Sequence, residues 1–214
     1  SVVMRAKFRN EAATSTALTG GYGFSSLSAE TGQTASAQPS LAGTTQYFVQ
    51  YAALNASGSG AGVHTTSLDQ TRIPYRPRLV EVMRTDTAIT TRRVWVGLAE
   101  ASLLALAHTT STAASAIDYV ALGFDTSIDA SWLCCSGDGT NHGCTDTGVD
   151  VATSTVYTLQ IDWSVAGTLS CWVNGVKTDK TTNLSTGDIA LGVVSYLTTL
   201  DNTARNFQLA TIAI

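Results

Sequence analysis

The chain has 214 residues, 44% of them hydrophobic and only 13% charged, about half the charged share of an ordinary globular domain. Thr, Ser, Ala and Gly fill the gap, and small and β-branched residues favour an all-β protein with many turns. The formal net charge is −4. No apolar run approaches the roughly 20 residues of a membrane span, and no signal peptide opens the chain, so no membrane is expected as a partner.

In chain order, SVVMRAKFRN alternates Val3, Arg5, Lys7 and Arg9 against Val2, Met4, Ala6 and Phe8, the period of two of a strand with one apolar face. A start at Ser1 is what removal of an initiator Met would leave, and we expect a complete small protein. Glu11 to Ser40 is mostly Ala, Ser, Thr and Gly, which bury too little apolar area to offset their own ordering entropy. TTQYFVQYAAL (Thr44–Leu54) is a credible strand, followed by the flexible NASGSGAG. Residues 1–71 are therefore expected to be an arm that packs on neighbouring subunits or a host surface, with Arg5, Lys7, Phe8 and Arg9 as its anchoring face; a flexible linker is the alternative. Residues 1–93 carry nine Lys/Arg against five Asp/Glu, and residues 94–214 carry three against eleven. A basic leading part and an acidic trailing part suit head-to-tail self-association or a basic part resting on an acidic partner; two solvated surfaces are the alternative. Nucleic acid is not expected as a partner, because the basic residues lack interleaved aromatics and any binding motif.

From Arg72 onward the pattern is regular. RLVEVMRT (Arg78–Thr85) puts Val80 and Val82 on one face and Glu81 and Met83 on the other. RRVWVGL (Arg92–Leu98) follows a Thr-rich turn, and ASLLALA (Ala101–Ala107) is the one candidate for a helical turn. IDYVALGFDT sends Val120, Leu122 and Phe124 one way. VYTLQIDWS alternates Tyr157, Leu159, Ile161 and Trp163 against Thr158, Gln160 and Asp162. TLSCWVNG runs into Asn174-Gly175, a strong hairpin signal. IALGVVSYL and NFQLATIAI complete the set. Strands every 8–15 residues without long helices between them predict a two-sheet antiparallel sandwich and exclude a parallel α/β fold.

The order of RVWVGL, ALGFDT, W-x-C-C-S-x-DG-T, TDTGVDVATSTVYTLQID, CWVNGV and TTNLST resembles a β-sandwich domain of bacteriophage virion proteins. That domain is similar to the concanavalin A-like jelly roll. The likeness spans about Tyr75 to Ile214, so residues 72–214 are expected to be the sandwich domain. It implies a virion structural protein, made in the host cytoplasm and then displayed on the particle surface. The partners it implies are the major capsid protein or another virion protein and further copies of the chain, most simply as a trimer.

SWLCCSGDGTNHGCTD (Ser131–Asp146) concentrates three of the four cysteines. A zinc site would need paired C-x₂₋₄-C knuckles, a redox pair C-x-x-C before a helix, and calcium several oxygen ligands. None is present, so no metal and no cofactor is expected. A hairpin fits better, with Trp132–Ser136 going out, residues 137–143 turning and Cys144–Thr147 returning. Cys134 and Cys135 point to opposite faces of a strand. Cys144 then lies near one of them, and the other faces Cys171 or remains a buried thiol; four reduced cysteines packed as small hydrophobes is the alternative.

Sandwich glycosidases carry two or three acidic residues on one strand face. After Asp86 this chain has a single Glu, Glu100, and no E-x-D-x-E pattern. Asp125 and Asp129 read as turn residues, and no G-x-S-x-G elbow accompanies His64, His108 or His142. No catalytic residue is assigned, and the expectation is a non-enzymatic capsid decoration or head-fibre protein attached through its arm. The alternative is a tail-fibre or adhesion module that binds host or environmental glycans, with Trp95 and Trp172 as the ring faces a sugar would stack on.

Overall fold

The computed structural model describes residues 5–7, 17–18, 27–28, 34–38, 48–53, 57–58, 60–65, 71–100 and 117–213. Its strands in chain order are β1 (Arg5–Lys7), β2 (Ala17–Leu18), β3 (Leu27–Ser28), β4 (Thr34–Gln38), β5 (Phe48–Ala52), β6 (Gly60–Thr65), β7 (Thr71–Arg72), β8 (Arg78–Thr85) and β9 (Arg92–Ala99). After these come β10 (Asp118–Asp125), β11 (Ser131–Asp138), β12 (His142–Asp150), β13 (Val156–Val165), β14 (Thr168–Val173), β15 (Val176–Lys180), β16 (Ala190–Thr199) and β17 (Asn206–Ala213). The only helical piece among the described residues is a single 3-10 turn at Ile73–Tyr75. The expected turn at Ala101–Ala107 lies outside them.

The strands build two antiparallel sheets. An eight-stranded sheet runs β15-β14-β13-β8-β17-β5-β4, with β1 also paired to β17. A nine-stranded sheet runs β12-β11-β10-β9-β16-β6-β3-β2, with β7 also paired to β16. From β8 onward the chain crosses between sheets from β8 to β9, from β12 to β13, from β15 to β16 and from β16 to β17. This is the two-sheet antiparallel sandwich that the alternating segments predicted, in the jelly-roll form that the resemblance implied.

Alternation decides what fills the space between the sheets. Tyr157, Leu159, Ile161 and Trp163 of β13 face Val94, Val96 and Leu98 of β9 and Val120, Leu122 and Phe124 of β10 in one core cluster. Trp132 sits among them, edge-on to Phe124 at 4.8 Å and to Tyr157 at 5.3 Å. Such T-shaped pairs add about 0.5–1.5 kcal/mol each beyond area burial. On β8 the core face is Leu79, Glu81, Met83 and Thr85, while Val80 and Val82 stay half-exposed outside.

The turns follow their residues. Asn174 (φ 50°) and Gly175 (φ 85°) both occupy the left-handed region, the geometry of a two-residue type I′ hairpin. Asp138 Oδ1 accepts from the N–H groups of Thr140 and Asn141, so the turn after β11 is an Asx turn. Both strands of that hairpin are longer than expected and the turn is shorter.

Pieces of the first 71 residues are strands of these same sheets. β4 and β5 extend the eight-stranded sheet, and β2, β3 and β6 extend the nine-stranded one. Arg5, Ala6 and Lys7 pair with Ala213, Ile212 and Thr211. Phe8, Arg9 and the side chains of Arg5 and Lys7 lie outside the described residues.

Candidate functional site

Strand β11 anchors the cysteines. Register puts Cys135 opposite Cys144 and Leu122 opposite Cys134. Cys134 points into the core and its sulfur joins Cys171 of β14, which links the two sheets. Cys135 points to the outer face of the nine-stranded sheet and joins Cys144 on the edge strand. Adjacent residues thus serve opposite faces. His142 lies on β12 and His64 on β6, where its backbone pairs with Val194; His108 lies outside the described residues.

The outer face of the nine-stranded sheet is glycine and aromatic. An added Cβ on Gly123 would stand 2.4 Å from the Trp95 ring, on Gly137 2.5 Å from Tyr119, and on Gly60 2.0 Å from the Tyr196 hydroxyl. Each ring therefore lies down over a glycine of a neighbouring strand. Trp95 and Tyr119 meet edge-on at 6.2 Å, and burial holds the Tyr119 hydroxyl well above the usual phenol range. Trp95 does point outward, but only 1% of it is exposed, so it has no open ring face for a sugar. At the end of this face Arg93 donates from Nε and Nη2 to Asp125 Oδ2, both at 2.9 Å. The other Asp125 oxygen accepts from the N–H and hydroxyl of Ser127, and Asp129 Oδ2 accepts from the Asp125 N–H. Glu100 Oε1 accepts from the Asp118 N–H. These carboxylates hold turns and strand ends.

The outer face of the eight-stranded sheet differs. Register aligns Lys177, Trp172, Gln160 and Val80 across β15, β14, β13 and β8. Trp95 and Trp132 are fully buried and Trp163 is 4% exposed; Trp172 alone of the four is half-exposed. The Lys177 ammonium stands 5.6 Å from its ring centroid, a cation–π distance. Lys177 also donates to Asp179 Oδ2, and Ser170 donates to Asp179 Oδ1. Those bonds, the one from Lys177 first, hold the Asp179 carboxyl below the ordinary carboxylate range. One row further, Arg78 pairs with Asp162. The result is a ring platform bordered by an amide, an ammonium and a carboxylate. Period-two alternation singled out Trp172; Lys177 and Gln160 were missed, although counting across the Asn174-Gly175 turn places Lys177 beside it, whereas Gln160 reaches it through the separate β13–β14 pairing, whose register shifts between Asp162 and Val165.

No protein-family profile matches the chain. No curated protein matches it in sequence. Solved structures do match. An endo-β-1,4-glucuronan lyase from the fungus Trichoderma reesei superposes with a TM-score of 0.61 at 9% identity, covering 90% of this chain and 90% of that one. A glycoside hydrolase family 16 endo-glucanase from Bacteroides ovatus gives 0.54 at 9% identity, covering 83% and 84%. The carbohydrate recognition domain of Emp47p gives 0.54 at 9% identity, covering 85% and 86%. These likenesses establish the concanavalin A-like jelly-roll sandwich.

They also correct two expectations. The chain was expected to be a bacteriophage structural protein and to be no enzyme. These three structural neighbours are two carbohydrate-active enzymes and a carbohydrate-recognition domain, and nothing in them ties the fold to a virion. The motifs that suggested a virion protein are strands and turns of the sandwich itself, RVWVGL in β9, ALGFDT at the end of β10 and CWVNGV across the β14–β15 turn.

Proposed function

We propose that the protein is carbohydrate-active and that a glycan chain lies across the outer face of the eight-stranded sheet at Trp172. The observation that carries this reading is the half-exposed Trp172 indole with Lys177 and Gln160 in register on either side. A sugar presents an apolar face of C–H groups and a rim of hydroxyls, and an indole bordered by polar groups answers both. Asp179 and Gln160 supply acceptors, and Gln160 and Lys177 supply donors. The fold supports the reading, since its solved examples include proteins named for acting on or recognising carbohydrate.

Affinity electrophoresis through neutral and acidic polysaccharides, with released reducing ends scored in parallel, tests it. Retardation by at least one polysaccharide is expected, and Trp172→Ala should weaken it roughly tenfold or more with an unchanged melting temperature, as truncating a central aromatic does. Retardation equal in wild type and variant, or none with any polysaccharide, would sink the assignment.

A further inference from the structure

Where β8 turns into β9 and β16 into β17, two guanidinium groups have more donors than the chain supplies acceptors. Arg92 is 1% exposed. Its Nη1 reaches the Asn206 carbonyl at 3.4 Å and its Nη2 lies 3.5 Å from Asp86 Oδ2, both at or beyond the limit of a useful bond. Arg92 Nε and Nη2 have no hydrogen-bond partner. Arg205 donates from Nη2 to Thr91 Oγ1 and to Asp201 Oδ2, each at 3.2 Å, while its buried Nε has none. Burial pulls the Arg92 pKa down to about 10, Asp86 opposes that, and the nearby Arg205 charge adds to it.

The carboxylates that face these charges are shared with other donors. Asp201 Oδ2 also accepts from the Thr91 hydroxyl, and Oδ1 from the Thr199 hydroxyl and the Thr203 N–H. Asp86 Oδ1 accepts from the Thr87 N–H and hydroxyl, and Oδ2 from the Asn206 N–H. A buried charged donor without an acceptor is costly, and such groups mark a missing ligand or water. A water accepts two hydrogen bonds. A carboxylate or sulfate brings four or more lone-pair sites on one rigid body and matches the guanidinium fork.

We propose that this end of the sandwich is an oxyanion site, in which Arg92 Nε and Nη2 and Arg205 Nε receive one carboxylate or sulfate group. Thr87 and Thr203, which donate to Asp86 and Asp201, are exposed beside it in the chain. The anion has two sources, a free ion or the acidic group of a glycan.

The full chain, ¹⁵N-labelled, is titrated with sodium sulfate, sodium acetate and sodium glucuronate at constant ionic strength, and the Arg92 Nε–H signal is followed. A saturable shift with at least one anion is expected. Glucuronate saturating well below acetate assigns the glycan source, and equal saturation assigns the free ion. Arg205→Gln should weaken binding roughly tenfold or more, the cost of one charge-assisted hydrogen bond; Arg205→Lys, which keeps the charge and loses the fork, should fall between. Trp172→Ala should leave the titration unchanged, so the site stands or falls apart from the glycan-contact face. Shifts no larger than those with sodium chloride for all three anions would mean that water alone fills the space, and would overturn the proposal.

Discussion

Glu81 places a carboxyl group inside the core. It is fully buried between the sheets, opposite Leu159 of β13 and Ile212 of β17. Its Oε1 accepts from the Ser195 hydroxyl at 2.8 Å and its Oε2 has no partner. Burial pushes its pKa up to about 8, with the Ser195 bond pulling slightly the other way. The folded protein therefore holds this proton from about pH 4.5 to 8 while the unfolded chain releases it. Stability is full below the unfolded value, falls as pH rises between the two values and is lost once pH passes the folded one, by roughly 5 kcal/mol in all. Urea midpoints at pH 5 and pH 9 should show that drop in wild type and a much flatter profile in Glu81→Gln. Parallel profiles would exclude Glu81 as the cause. Alternation placed Glu81 on one face with Met83 and the two valines on the other, but could not say which face was inside. The usual inference, that the charged face meets water, fails here because Leu79, Met83 and Thr85 travel with Glu81 into the core.

At the scale of the strand, the glycines of the nine-stranded sheet do a job that composition hides. Gly in a strand weakens it unless a neighbour needs the space, and here the neighbours are rings: Trp95 over Gly123, Tyr119 over Gly137 and Tyr196 over Gly60. Gly123→Ala puts a methyl 2.4 Å from the Trp95 ring and 2.8 Å from the Val94 carbonyl, and should cost about 1–3 kcal/mol by overpacking. Gly148→Ala meets nothing within 4 Å, but its φ of +71° should cost about 1 kcal/mol through the backbone alone. Near-UV circular dichroism separates the two: the first should alter the tryptophan bands and the second should leave them. An identical spectrum for both variants would refute the ring-over-glycine packing. Local features of this kind were partly legible. Asn174-Gly175 and Asp138-Gly139 announced their turns because turn chemistry is set by two or three adjacent residues. The Trp95–Gly123 and Tyr196–Gly60 pairings were not, because they depend on which strands become neighbours. The same limit applied to Arg92 and Arg205, which lie far apart in sequence and meet only when two loops gather at one end.

Across the whole molecule, strand order is what the linear pattern could least supply. β8 lies between β13 and β17, and β9 between β10 and β16, so the centre of each sheet is stitched from segments far apart in the chain. The cysteines show how such a topology is held. Cys134–Cys171 ties β11 of one sheet to β14 of the other across a separation of 37 residues, whereas Cys135–Cys144 closes a hairpin across 9. In the chain-entropy account a crosslink restricts the unfolded ensemble more as its loop lengthens, to about 4 kcal/mol for the first and about 3 kcal/mol for the second. Removing the first also strips sulfur contacts from the core between the sheets, where Cys134 and Cys171 are fully buried. Paired Cys→Ala variants should therefore rank unequally in denaturant: Cys134→Ala/Cys171→Ala loses more stability than Cys135→Ala/Cys144→Ala. The second should disturb hydrogen exchange chiefly along β12, whose remaining ties are its ladder to β11 and its contacts with β14 and β15. The opposite ranking, or exchange that rises equally in both sheets when only the hairpin bond is removed, would show that the sheets are held together by packing alone and that the inter-sheet bridge adds nothing to it.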